Sequence, residues 1–126
     1  MYKESNEIIA EALYLNAIMN SDFINARDIT KNNDGFELLD YENRKSVYEL
    51  SEQFVVRKVS FSTDTFHVPT QHIAYSMLGN EVLTESPLID EVSFEVKVNK
   101  EINTFHYKKQ YDAAFLMERE EQLANE

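Results

Sequence analysis

The chain has 126 residues, with 23 Asp plus Glu against 12 Lys plus Arg, a formal net charge of −11, no Cys, no Trp, two Gly and two Pro. The lack of thiols excludes a disulfide scaffold and any Cys-based zinc site or nucleophile. At 43 % apolar, with seven Tyr and eight Phe, the sequence can bury a core, so one domain spanning 1–126 is expected in place of a disordered chain.

The excess of acid is spread along the chain: 10 acids to 5 bases in residues 1–50, 7 to 4 in 51–100, and 6 to 3 in 101–126. Duplex nucleic acid requires clustered Lys or Arg to displace its counterions, and the adjacent basic pairs are only Arg44-Lys45, Arg57-Lys58 and Lys108-Lys109. Direct nucleic-acid binding by this chain is therefore not expected. The longest apolar run, Ala113 to Met117, falls far short of the roughly 20 residues that cross a bilayer. A Lys-Glu pair stands near the N-terminus, where a signal peptide carries its apolar segment. The expectation is a cytoplasmic chain without a membrane partner.

In chain order, Ser5 is placed to cap a helix whose residues Ile8, Ala12, Leu15 and Met19 recur on one face, with Phe23 extending the stripe. Asn20-Ser21-Asp22 predicts its end and the start of a short second helix. Lys31-Asn32-Asn33-Asp34-Gly35 is the clearest loop signal. The spacing of Val47, Leu50 and Phe54 predicts a helix over 41–54, and Pro69 opens another through Gln71–Leu78 that Gly79-Asn80 closes. Alternation of Val59, Phe61 and Thr63, and more clearly of Val92, Phe94, Val96 and Val98, leaves room for a minor antiparallel β element at 55–68 and 92–99. The fold class expected is mostly α: a small bundle with a helical core over about 5–100 and a C-terminal helix or hairpin over about 102–123, fraying beyond Glu118.

On that last helix, Tyr107, Tyr111, Ala114 and Phe115 fall on one side, while Ile102, Phe105, Ala113, Leu116 and Leu123 fall nearly opposite. Two apolar stripes require two covering surfaces: one stripe packs on the domain's own core, and the other requires a second element or another chain. Tyr107, Tyr111, Ala114 and Phe115 are the candidate protein-interface residues. Catalytic, cofactor and metal sites are not expected: Gly35 and Gly79 stand alone without a phosphate loop, and His67, His72 and His106 match no metal-ligand spacing.

Two stretches carry a family resemblance. Glu11 to Ile24, followed by Phe36 and by Tyr41-Glu42-Asn43-Arg44-Lys45-Ser46-Val47-Tyr48-Glu49-Leu50, forms the first, and Asn103-Thr104-Phe105-His106-Tyr107-Lys108-Lys109-Gln110-Tyr111 continuing to Arg119 forms the second. Together, with Val59-Ser60-Phe61 between them, they resemble the N-terminal domain of DnaB-type replicative helicases over about half the chain. The resemblance implies a helical, non-catalytic collar domain in DNA replication, a homo-oligomer that docks primase or a helicase loader. The parent protein's ATPase domain would lie outside this sequence. The alternative weighed against it is a small acidic, phage-encoded inhibitor that mimics DNA toward a host nucleic-acid enzyme, and third a small virion or scaffold component.

Overall fold

The computed structural model describes residues 2–124, and side chains over 6–121. Helix α1 (Tyr2–Asn25) leads into nine strands: β1 (Ala26–Lys31), β2 (Gly35–Asp40), β3 (Lys45–Leu50), β4 (Val55–Val59), β5 (Ser62–Phe66), β6 (Thr70–Met77), β7 (Asn80–Glu81), β8 (Glu91–Val98) and β9 (Glu101–Lys108). Helix α2 (Ala113–Ala124) closes the described chain. The first five strands form an antiparallel meander in sequence order, and the other four form a sheet ordered β7-β6-β8-β9. The mostly helical bundle expected from the sequence is therefore overturned: two sheets carry the fold.

α1 follows its stripe as read. Ala12, Leu15, Met19 and Phe23 are buried, and the helix touches β2 and β5 of one sheet and β8 and β9 of the other. The expected break at Asn20-Ser21-Asp22 does not occur. Asp22 does not cap a new helix, because its carboxylate receives both Arg57 Nε at 2.9 Å and Nη2 at 3.0 Å, and Tyr48 Oη at 2.5 Å. The break signal was spent on a tertiary tie that fastens α1 to β3 and β4. Ser5 lies within the helix, and its side chain, like that of Leu123, lies outside the described residues.

Each of the three other predicted helices contains a strand. Over 41–54 the chain makes a turn and then β3: Asp40 Oδ1 accepts the Glu42 and Arg44 amides at 2.8 Å each, and Asn43 takes φ 64°. Val47 and Leu50 then sit on opposite sides of a ladder that pairs Val47 with Glu37 and with Lys58. Residues 70–77 form β6, and Gly79 ends a strand, not a helix: Leu78 (φ 50°) and Gly79 (φ 83°) are the two central residues of a tight hairpin in which Met77 faces Asn80. Of the expected 102–123 helix, 101–108 is β9, paired along its length with β8, and only 113–124 is helical, capped by Asp112 Oδ1 on the Phe115 amide at 2.7 Å. Elsewhere the alternation over 92–98 holds, with Val92, Phe94, Val96 and Val98 all facing the core.

The core lies between the sheets and α1. Phe36 stacks on Tyr48 at 4.9 Å between ring centroids and meets Phe23 of α1 edge-on at 5.8 Å. Phe94 and Tyr107 line the second sheet's side of the same core. The sheets join where β1 meets residues 86–89: Thr30 bridges Leu88, and the Ile89 amide donates to Ile29 O at 2.9 Å.

Candidate protein-interaction face

The four residues expected to form one interface do not share a face. Tyr107 is core, 2 % exposed; its ring lies 5.5 Å from Phe23 and its hydroxyl donates to Asn16 Oδ1 at 2.7 Å, which ties β9 to α1. Tyr111 is also buried, and its hydroxyl accepts the Ile29 amide at 2.9 Å and donates to Ile89 O at 2.8 Å, clasping β1 to the 86–89 segment. Phe115 stacks on Tyr111 at 5.1 Å and is half-buried, and Ala114 is exposed. Burial drives the phenols of Tyr107 and Tyr111 well above their ordinary pKa, so both stay protonated donors. Tyr111→Phe leaves the Ile29 amide and Ile89 carbonyl unpaired in a buried site. It is expected to lower unfolding free energy by about 1–3 kcal/mol in urea titration, with the native circular dichroism kept.

Each histidine stands beside a glutamate. His67 Nδ1 lies 3.6 Å from Glu11, His72 Nδ1 2.6 Å from Glu95, and His106 Nε2 contacts Glu91. Among the described residues no three His, Asp or Glu side chains group as metal ligands. Ser76, Glu91 and His106 form a row on the outer face of β6, β8 and β9, with Ser76 Oγ donating to Glu91 at 2.8 Å. The carboxylate stands in the middle of that row, so it accepts from the serine and no imidazole is placed to take the hydroxyl proton.

Hydrogen bonds from His106 and then Ser76 hold the Glu91 carboxyl below its ordinary 4.5, and His72 and then Gln71 do the same for Glu95. A carboxylate with a depressed folded pKa contributes stability that is full above its unfolded value and is lost as pH falls through the folded one. The melting temperature is therefore expected to drop as pH falls below about 4.5, and the drop should be smaller in a Glu91→Gln/Glu95→Gln variant followed by thermal melts from pH 6 to pH 3.

A groove with apolar walls lies between α1 and β9. α1 has a second stripe pointing away from the core, with Ile9 46 % and Leu13 64 % exposed. This stripe borders a groove of about 630 Å³ whose other wall is β9 with the end of β8, including Val98, Asn103 and Phe105. β9 is the last strand of its sheet, so among the described residues its outer backbone rim pairs with no strand. Ile102, 54 % exposed, adds apolar surface on the outer side. Although 28 % of the chain is charged, Glu101 is the single formal charge among the described residues that line the groove.

A second exposed apolar group, with Tyr41 in the β2–β3 turn and Phe61 in the β4–β5 turn, lies at one end of the meander. Near it is a pocket of about 460 Å³ in which Arg44 and Arg57 already hold Asp40 and Asp22. Its charges are mutually satisfied, which leaves the α1–β9 groove as the better docking surface. The exposed stripe Ile9–Leu13 is present in the sequence at a spacing of four, but with two residues it is a weaker signal than the adjoining core stripe Ile8, Ala12, Leu15 and Met19. No family model, curated protein or solved structure matches the chain.

Proposed function

We propose that this chain is a non-catalytic protein-interaction domain that docks another protein chain on the groove between α1 and β9. The observation that carries this reading is the combination of an open strand edge with an apolar, nearly uncharged groove on a strongly acidic molecule. An unpaired strand offers backbone donors and acceptors to an incoming strand, and the flanking Ile9, Leu13 and Phe105 supply apolar contact. The helicase role implied by the resemblance presupposes a helical domain. It is not carried into this proposal, which keeps docking and self-association without chemistry.

The test compares two baits, wild type and Leu13→Glu. Leu13 is exposed, so the substitution leaves the core intact, and equal far-UV circular dichroism verifies that. Proteins retained by the wild type, including untagged copies of the chain, are expected to be lost at least tenfold from Leu13→Glu, because a buried unpaired carboxylate opposes docking. Identical sets retained by both baits would contradict the proposal.

A further inference from the structure

We infer that the occupant of the groove is a second copy of this chain, joined about a two-fold axis by antiparallel pairing of β9 with β9 of its partner. This rests on the proposed docking function and names its partner. Charge supplies the first argument. A molecule of net charge −11 repels its own copies, so a two-fold contact forms where carboxylates are scarce, and among the described residues that line the groove Glu101 is the one carboxylate. A basic partner would be drawn to the carboxylates outside the groove.

Register supplies the second. Side chains facing each other across an antiparallel pair project to the same side of the sheet, so a two-fold axis perpendicular to the sheet keeps the core faces of both copies together. With Phe105 facing Phe105 of the partner subunit, Glu101 faces Lys109 of the partner subunit, and the reciprocal pair forms on the other side of the axis. Ile102 then faces the partner's Lys108, and Thr104 faces the partner's His106. Shifting the register to the next permitted position in either direction sets Glu101 against the partner's Tyr107 or the partner's Tyr111, both buried within their own chain. Only the Phe105 register gives Glu101 a cation. The axis also carries the Ile9 and Leu13 stripe of each α1 toward the other, adding the apolar area that a strand pair alone lacks for a stable interface.

The wild-type chain is expected to sediment as a concentration-dependent dimer, and Glu101→Lys to weaken that dimer at least tenfold, since it sets two lysines against each other in both reciprocal pairs. The native sequence has no cysteine, so engineered disulfides report register directly. Thr104→Cys/His106→Cys is expected to yield a covalent dimer on mild oxidation, and Thr104→Cys alone to stay uncrosslinked. A wild-type chain that stays monomeric at several hundred micromolar would overturn the inference, while the docking function would still stand if the Leu13→Glu bait loses a different protein. A dimer indifferent to Glu101→Lys, or one crosslinked through Thr104→Cys alone, would overturn it as well.

Discussion

Phe36→Ala is expected to cost about 3–5 kcal/mol of unfolding free energy. Phe36 is wholly buried, stacked on Tyr48 at 4.9 Å and met by Phe23 at 5.8 Å and Tyr75 at 6.3 Å, so three other rings lose a partner when it is removed. It also sits where β2, β3 and α1 converge, and regular strands pinned by ladder hydrogen bonds collapse little into a void. Against a typical domain stability of about 5–15 kcal/mol, the variant should show a clearly lowered urea midpoint with an unchanged slope. A loss below about 1 kcal/mol would mean that the first sheet does not pack on α1 as described.

Gly35→Ala should be nearly as damaging, for a different reason. Gly35 has no left-handed backbone, yet a Cβ placed on it would lie 1.9 Å from the carbonyl oxygen of Tyr48 and 2.9 Å from its carbonyl carbon. Those atoms belong to the adjoining strand, where Gly35 pairs with Glu49, and they cannot rotate away as a side chain would. The β2–β3 ladder must separate at its start, for a loss of about 3 kcal/mol or more. Gly79→Ala is the contrasting control: its Cβ would meet nothing within 4 Å, and only the φ of 83° opposes it, for about 1 kcal/mol. Equal losses in the two variants, measured by chemical denaturation, would refute the contact argument.

How far the sequence disclosed this fold depends on which residues are considered. The Ile8–Phe23 stripe of α1 and the Val92–Val98 alternation were legible, because each contains enough periods to separate a repeat of 3.6 from one of two. The Asn32–Asp34 loop was legible too, and Asn32 Oδ1 accepts the Asp34 amide at 3.2 Å as its composition suggests. β3, β6 and β9 were not. Val47 and Leu50 lie three apart, as do Ile102 and Phe105, and short runs with such spacing satisfy a helix as readily as a strand. The β-branched and aromatic content of Glu101–Lys108 was the signal that favoured a strand, and it was outweighed by the four-residue step from Tyr107 to Tyr111. That step leaves the end of β9 and stops in the short connection before the Asp112 cap, so neither tyrosine lies in a helix.

The candidate site was half legible for a related reason. The sequence reading placed the exposed apolar face on a C-terminal helix, with Tyr107, Tyr111, Ala114 and Phe115 as its members. Tyr107 and Tyr111 are occupied by Asn16 and by the 29–89 clasp, whereas Ile9 and Leu13 of the N-terminal helix face outward beside β9. Pairing α1 with β9 joins residues about ninety positions apart, a contact that no local pattern encodes.

Amide hydrogen exchange followed as a function of chain concentration reports whether β9 of one copy covers β9 of another. The outward-facing amides of β9 exchange quickly in a lone copy and slowly once another strand covers them. Protection rising with concentration over Glu101–Lys108 and along the α1 stripe from Ile9 is the predicted result. Exchange that is the same at every concentration, or protection that rises only around Tyr41 and Phe61, would contradict it.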